Sequence, residues 1–317
     1  MDKTTHSKRI FIEDILKHLY SYEQSERQAS IASMAGTLQI SQDEAGVLIT
    51  DMIEHQLVEL SEGSFSLTPA GREYAVQIVR AHRLWERYLA DETGYAEDNW
   101  HTQADRREHQ LSAAEVEALA ARLGHPTHDP HGDPIPGAGG DFVPHGGQPV
   151  ATLDAGSWAR IVHLEDEPPT IYAQLVAEGL YPGQEIQLTE KSTQRICFQA
   201  DGQEHVLVPV IARNISVVPL PGSVATAAEP GERLSALGVG QTARVTSISP
   251  ACRGPERRRF MDLGILPGTL VKAEMISPSG DPTAYLIRQS LIALRKEQAE
   301  LITITREPVP ASQAEEK

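Results

Sequence analysis

The C-terminal half of this chain is written twice, and that repeat limits its fold more than any other feature. Gly156-Ser157-Trp158-Ala159-Arg160-Ile161-Val162 matches Gly240-Gln241-Thr242-Ala243-Arg244-Val245-Thr246, and Ala177-Glu178-Gly179-Leu180-Tyr181-Pro182-Gly183 matches Asp262-Leu263-Gly264-Ile265-Leu266-Pro267-Gly268. The shared order is a strand, a short helix, a Gly-x-x-Pro-Gly turn and then further strands. A self-similar stretch of this kind is one building block copied. Segments such as Ala284-Tyr285-Leu286-Ile287 and Leu301-Ile302-Thr303-Ile304 alternate as half-buried strands do. Two small β-barrels are therefore expected, at 150–221 and 233–306. Residues 307–317 read as a disordered acidic tail.

The N-terminal half carries helical periods. Ile12, Ile15, Leu16 and Leu19 share one face of a helix expected over 10–22. A second helix is expected at 28–38. Ser41 and Glu44 form a capping-box pair that opens a third, running to about Gln56. Leu57-Val58-Glu59-Leu60 and Phe65-Ser66-Leu67 flank a turn at Glu62-Gly63-Ser64, which predicts a hairpin. Three helices and a hairpin are the order of a winged helix-turn-helix, assigned to 8–72. Thr68-Pro69 opens a long helix from Ala70 to Asp91. A further helix is expected near Glu97 to His109, and Ser112 with Glu115 caps another that ends at Gly124. The 73–124 stretch is thus all-α. The fold class is α+β multidomain. Residues 125–149 are rich in Pro, Gly and His and read as an extended linker, although its histidines admit a metal reading.

Six metal-ligand side chains sit at helical spacing. His82 and Glu86 are four apart, as are His101 and Asp105, and Glu108 and His109 follow Asp105 by three and four. Residues three and four apart share a helix face. Imidazoles and carboxylates without thiolate suit a divalent first-row ion such as Mn²⁺ or Fe²⁺ rather than Cu⁺. A single His–Glu pair at this spacing is often only a surface ion pair. The formal net charge of -16 argues against indiscriminate nucleic-acid or membrane binding. Cys197 and Cys252 provide no disulfide framework, which fits a reducing cytoplasm. Neither a signal-peptide core nor a membrane-length apolar run is found, so no membrane insertion is expected.

On these motifs the chain resembles the diphtheria-toxin-repressor and manganese-transport-regulator family of metal-dependent repressors. Its two C-terminal units resemble FeoA-type SH3-like domains. The resemblance is carried by His82-x-x-x-Glu86, by His101-x-x-x-Asp105-x-x-Glu108-His109, and by His125-Pro126-Thr127, Pro130-His131-Gly132 and Pro134-Ile135-Pro136. It implies a homodimer that binds metal and docks on a palindromic double-stranded DNA operator. It places Asp14 with Asp105, Glu108 and His109 in a primary site. It places His82, Glu86 and His101 in an ancillary site, to which Glu165 or Glu167 would lend a carboxylate. Asp14 and Asp105 stand where iron-regulated members use Met and Cys, which tilts the site toward Mn²⁺. Lys17 stands where manganese members carry a second carboxylate, and a protonated lysine cannot ligate metal.

Charge complicates the DNA reading. Between Arg27 and Glu62 one arginine stands against Asp43, Glu44, Asp51, Glu54, Glu59 and Glu62. Acids repel the phosphates that dominate affinity. The cations Lys8, Arg9, Lys17, Arg27 and Arg72 lie at the module's edges. DNA contact is assigned to Arg27, Ser41, Gln42 and Arg72, with Gln42 able to pair with adenine. Two functions follow. One is a metal-dependent repressor of metal-uptake genes. The other is a metal-sensing interaction protein that no longer reads DNA and acts through its FeoA-type units on an iron transporter. No nucleophile motif or phosphate loop accompanies the ligands, so an enzyme is not expected.

Overall fold

The computed structural model describes residues 3–25, 27–61, 63–93, 95–220, 232–249 and 251–306, so the expected tail at 307–317 lies outside the described residues. The chain forms two compact units, Met1–Tyr88 with Asn99–His145, and Leu89–Asp98 with Gly146–Lys317.

The first unit begins with α1 (Lys3–Gln24), α2 (Ile31–Leu38) and α3 (Gln42–Glu54), followed by the hairpin β1 (Val58–Ser61) and β2 (Ser64–Leu67). Helix α1 starts earlier than its apolar period suggests, because polar residues extend a helix without marking its face. Capping boxes form at Ser30 with Ser33 and at Ser41 with Glu44. The hairpin pairs Val58 with Leu67 and Leu60 with Phe65. Ile15, Leu16, Leu19, Met34, Leu48, Ile49 and Met52 make the winged-helix core, which continues into Ala75 and Val79 of α4 (Pro69–Glu92). Helices α5 (Trp100–Glu108) and α6 (Ala113–Arg122) complete the unit, with Ala81, Leu84, Val116, Leu119 and Ile135 as a second core.

Residues 125–136 are not the open connector that their proline content suggests. Asp129 Oδ1 accepts the backbone N–H groups of His131, Gly132 and Asp133 at 2.8–2.9 Å. Arg80 and Arg83 of α4 donate to the Pro136 and Pro134 carbonyls. Asp129, His131 and Ile135 are buried. The side-chain cap folds the segment into a tight loop that packs on α4, so composition alone misjudged it.

The second unit holds the repeat. Its first copy contains β3 (Gln148–Pro149), β4 (Trp158–Leu164), α7 (Pro169–Ala177), β5 (Glu185–Lys191), β6 (Ile196–Ala200), β7 (Gln203–Leu207), α8 (Pro209–Ala212) and β8 (Ile215–Pro219). Its second contains β9 (Glu232–Arg233), β10 (Thr242–Ile248), α9 (Gly254–Asp262), β11 (Leu270–Ile276), β12 (Thr283–Ile287), β13 (Ser290–Leu294), α10 (Lys296–Glu300) and β14 (Ile302–Arg306). The strand orders β3-β8-β4-β5-β6-β7 and β9-β14-β10-β11-β12-β13 are the same. Register breaks between Ile161 and His163 and between Leu188 and Glu190 recur between Val245 and Ser247 and between Ala273 and Met275. Bulges sharpen strand bend and twist, so both copies curl at matching points. Each closes on its own apolar core. Glu97 Oε1 accepts from Tyr172 of the first copy and Arg253 of the second, both at 2.7 Å.

Phe260 on α9 is fully buried in the second core. Phe260→Ala is expected to cost about 3–5 kcal/mol from lost transfer and an unfilled cavity. Denaturant unfolding reads it, and a loss under about 1 kcal/mol would mean that the core collapses around the gap.

Candidate metal centre

Three helices of the first unit converge on one point. Helix α1 brings Glu13, Asp14 and Lys17; α4 brings His82 and Glu86; α5 and the residue that ends it bring His101, Asp105, Glu108 and His109. The four-residue spacings place each set on one face, as read from the sequence. Leu84 and Ala81 of α4 turn into the second core, so His82 and Glu86 are left on the face toward α5.

Within the first unit, the ligand atoms of the described residues fall into three overlapping groups, His82/Glu86/His101, Asp14/Glu108/His109 and His82/Asp105/Glu108, and within each they lie within 4.8 Å of one another. In the first, Glu86 Oε1 is 3.0 Å from His82 Nε2 and 3.3 Å from His101 Nδ1. In the second, His109 Nε2 is 3.3 Å from Asp14 Oδ1 and 3.7 Å from Glu108 Oε1. Donors about 2.1 Å from one divalent ion stand about 3.0–3.4 Å apart in octahedral or tetrahedral geometry. The His82–Glu86, His101–Glu86 and His109–Asp14 separations fall in that range and the His109–Glu108 one is a few tenths of an ångström wider, so the donors suit such an ion in chemistry and come close to it in spacing.

Asp105 does not sit with Asp14 and His109 as the resemblance implied. Its Oδ1 accepts from Lys17 Nζ at 2.7 Å, and its Oδ2 is 3.5 Å from His101 Nε2. One helical turn separates it from His109, and the ammonium holds it there. Lys17 also donates to both Glu108 oxygens at 3.2 and 3.1 Å and lies 3.1 Å from His82 Nδ1. His82 Nδ1 is itself hydrogen-bonded to Glu108 Oε2.

Charge at this centre is closely compensated. Burial pulls the His82 imidazolium down, but Glu86 and the hydrogen bond and charge of Glu108 outweigh it, against Lys17, and push it up to about 9. Burial likewise opposes His109, which hydrogen bonds to Asp14 and Glu13 lift to about 9. Glu86 lies well below the carboxylate range: burial would raise it, but His82 and His131 override. Lys17 is desolvated, yet Glu108 and Asp105 hold it as an ammonium above its ordinary value.

Two residues were not assigned to this centre from the sequence, although the histidines of the 125–149 stretch admitted a metal reading. His131 Nδ1 lies 3.6 Å from Glu86 Oε2, against the oxygen that faces away from His82. Glu13 Oε2 accepts from His109 Nδ1 at 2.6 Å, and its Oε1 accepts from the Tyr74 hydroxyl. The bond from Nδ1 to Glu13 orients the ring with Nε2 toward Asp14 and Glu108, and in the neutral imidazole that a metal needs it would keep the proton on Nδ1. Glu13→Ala is expected to weaken Mn²⁺ affinity about 10–100-fold. Calorimetric titration checks this, and an unchanged affinity would show that His109 is oriented without it.

Glu165 and Glu167 occupy the loop between β4 and α7 in the second unit, and both are exposed. Ser41 is the N-cap of α3: its hydroxyl donates to Glu44 Oε2 at 2.7 Å and accepts the Glu44 N–H at 3.2 Å. Gln42 is exposed at the first position of α3. Arg27 lies over the Tyr22 ring at 5.1 Å, and Arg72 pairs with Glu23 at 2.6 Å.

A winged helix whose first helix enters a nest of imidazoles and carboxylates defines a metal-responsive regulator of the winged-helix class. Residues 68–137 match the family model of the iron dependent repressor metal binding and dimerisation domain, and residues 232–306 match the FeoA domain. The chain is 31% identical over 156 residues to the iron-dependent repressor IdeR of Mycobacterium leprae, covering 45% of this chain and 67% of that protein. It is 40% identical over 80 residues to a probable metal transport system membrane protein of Chlamydia trachomatis, covering 25% of this chain and only 18% of that protein. A manganese-dependent transcriptional repressor solved in complex with manganese superposes with a TM-score of 0.61 at 29% identity, over 66% of this chain and 100% of that one. The chain belongs to the iron-dependent repressor family, which includes the diphtheria toxin repressor.

Proposed function

We propose that this chain is a metal-dependent transcriptional repressor that responds to Mn²⁺ or Fe²⁺, works as a cytoplasmic homodimer and binds a palindromic operator. The observation that carries this is the double duty of α1. One face brings Asp14 to Glu108 and His109, while Ile15, Leu16 and Leu19 pack with Leu48, Ile49 and Met52 of α3. Fixing α1 at the centre therefore fixes α3, the helix that would enter the major groove. Asp14, Glu108 and His109 would hold one ion, and His82, Glu86 and His101 another. A bound ion would supply positive charge and directed bonds across helices that meet at this centre through hydrogen-bonded side chains. Differential affinity for the arrangement with α1 in place is what shifts the population toward the DNA-binding state.

On α3 the exposed face carries Gln42, Asp43 and Val47, the last 68% exposed. A glutamine can read adenine and an apolar side chain can meet a thymine methyl. Among the described residues, no helix is long and apolar enough to cross a membrane. The test is fluorescence anisotropy on the organism's own promoter fragments with Mn²⁺, with Fe²⁺ under anaerobic conditions, or with chelator, at about 150 mM salt. Binding with metal that chelator reverses is expected. Metal uptake with no DNA binding at all would overturn the repressor reading.

A further inference from the structure

We propose that Lys17 is a resident cation of this centre, its ammonium filling the His82/Asp105/Glu108 group so that divalent metal binds only in the groups on either side. The inference builds on the metal-centre reading above and concerns a residue that binds no metal itself.

The geometry is specific. The middle group shares His82 with one flanking group and Glu108 with the other. Lys17 Nζ faces an atom of the group on each of its three residues: it donates to Asp105 Oδ1 at 2.7 Å and to Glu108 Oε1 and Oε2 at 3.2 and 3.1 Å, and it stands 3.1 Å from His82 Nδ1. An ammonium is a compact charge with three donors on a flexible stem. A divalent ion about 2.1 Å from these same atoms would need the space the ammonium occupies. Lys17 is three residues after Asp14, so the two share a face of α1 and reach the centre together. One delivers a ligand and the other a counter-charge. The Glu108 side chain, with no exposed surface, is thereby neutralised whether or not metal is present.

Two consequences follow. Helix α1 is tied to α4 and α5 before metal arrives, which lowers the ordering that metal must impose. The two flanking ions are separated by a protein cation rather than joined through the middle carboxylates.

The experiment uses the full chain and Mn²⁺ alone. Electron paramagnetic resonance of free Mn²⁺ gives stoichiometry, and the bound spectrum reports spin coupling. Hydrogen exchange of α1 peptides in metal-free protein gives the second readout. Native protein is expected to take two ions, one for each flanking group, without exchange coupling. Lys17→Met is expected either to take one more ion or to show a coupled pair. Its α1 peptides should exchange at least about tenfold faster without metal. A coupled pair in the native protein would overturn the proposal, because the lysine would then have left the middle group; this arm needs no variant and stands even where Lys17→Met fails to fold. Unchanged stoichiometry, coupling and exchange in a folded Lys17→Met would overturn it as well. Failure of the native protein to take up Mn²⁺ would overturn both this proposal and the metal-centre reading. Uptake without operator binding would overturn the repressor reading alone.

Discussion

Glu108→Ala is expected to abolish metal-dependent DNA binding and to destabilise the first unit by about 3–5 kcal/mol in metal-free protein. The two losses have separate causes. Glu108 contributes ligand atoms to two of the three groups within the first unit, so its removal disables the Asp14/His109 site outright. Its side chain is also fully buried between Lys17 and His82, both of which it compensates. Removing one member of such a cluster leaves positive charge in the interior without its partner, and the cost exceeds anything the pair contributes when intact. Asp14→Ala provides the contrast. Its side chain is 30% exposed, so that substitution should cost metal affinity with little loss of stability. Urea unfolding in chelator and calorimetric Mn²⁺ titration separate the effects. Native-like stability in Glu108→Ala would refute the charge argument, and native metal affinity would refute the ligand assignment.

Gly71→Ala is expected to cost about 3 kcal/mol, roughly 10 °C in Tm, although it adds a single methyl group. Gly71 lies in the first turn of α4, where an added Cβ would stand 1.8 Å from the Leu57 carbonyl oxygen and 2.8 Å from its carbon. The obstacle is backbone and cannot rotate away. The same carbonyl already accepts the Thr68 N–H at 3.1 Å, and the Thr68 hydroxyl accepts the Gly71 N–H at 3.0 Å. Relief therefore means moving α4 against the hairpin, and α4 carries His82 and Glu86. Gly36→Ala, in α2 with open space around its Cβ, is the control and should stabilise slightly. Thermal melts of the two variants side by side check this; equal Tm values would mean that the junction yields.

Much of the centre was legible because helices convert spacing into geometry. His82 with Glu86 and His101 with Asp105 needed only a four-residue period, and Ser41-x-x-Glu44 and Ser112-x-x-Glu115 marked helix starts that the structure places there. Positions fixed by tertiary structure were not legible. Glu13 adjoins Asp14, and nothing in the sequence shows that one grips Nδ1 of His109 while the other faces Nε2. His131 was hidden in a proline-rich stretch whose compactness depends on a single aspartate collecting three backbone N–H groups. Asp105 shares its helix face with His109, but an ammonium from another helix decides which neighbours it serves. Periodicity places a residue on a face; it does not rank the charges waiting there.

The cations at the edges of the winged module have an unexpected thermodynamic consequence. Lys8 is paired with Asp51 at 3.1 Å, Arg9 donates to the His109 carbonyl, Lys17 is held by carboxylates, Arg27 rests on Tyr22, and Arg72 grips Glu23. A protein gains much of its attraction to a duplex by freeing the small ions condensed along it, one for each phosphate it neutralises. Side chains already committed to partners in their own fold free few of them. A duplex held by this face would be gripped through shape, base edges and backbone amides. Such contacts lose little as the surrounding electrolyte thickens, so an operator once found would stay bound across swings in cellular ionic strength that strip a basic repressor from its site.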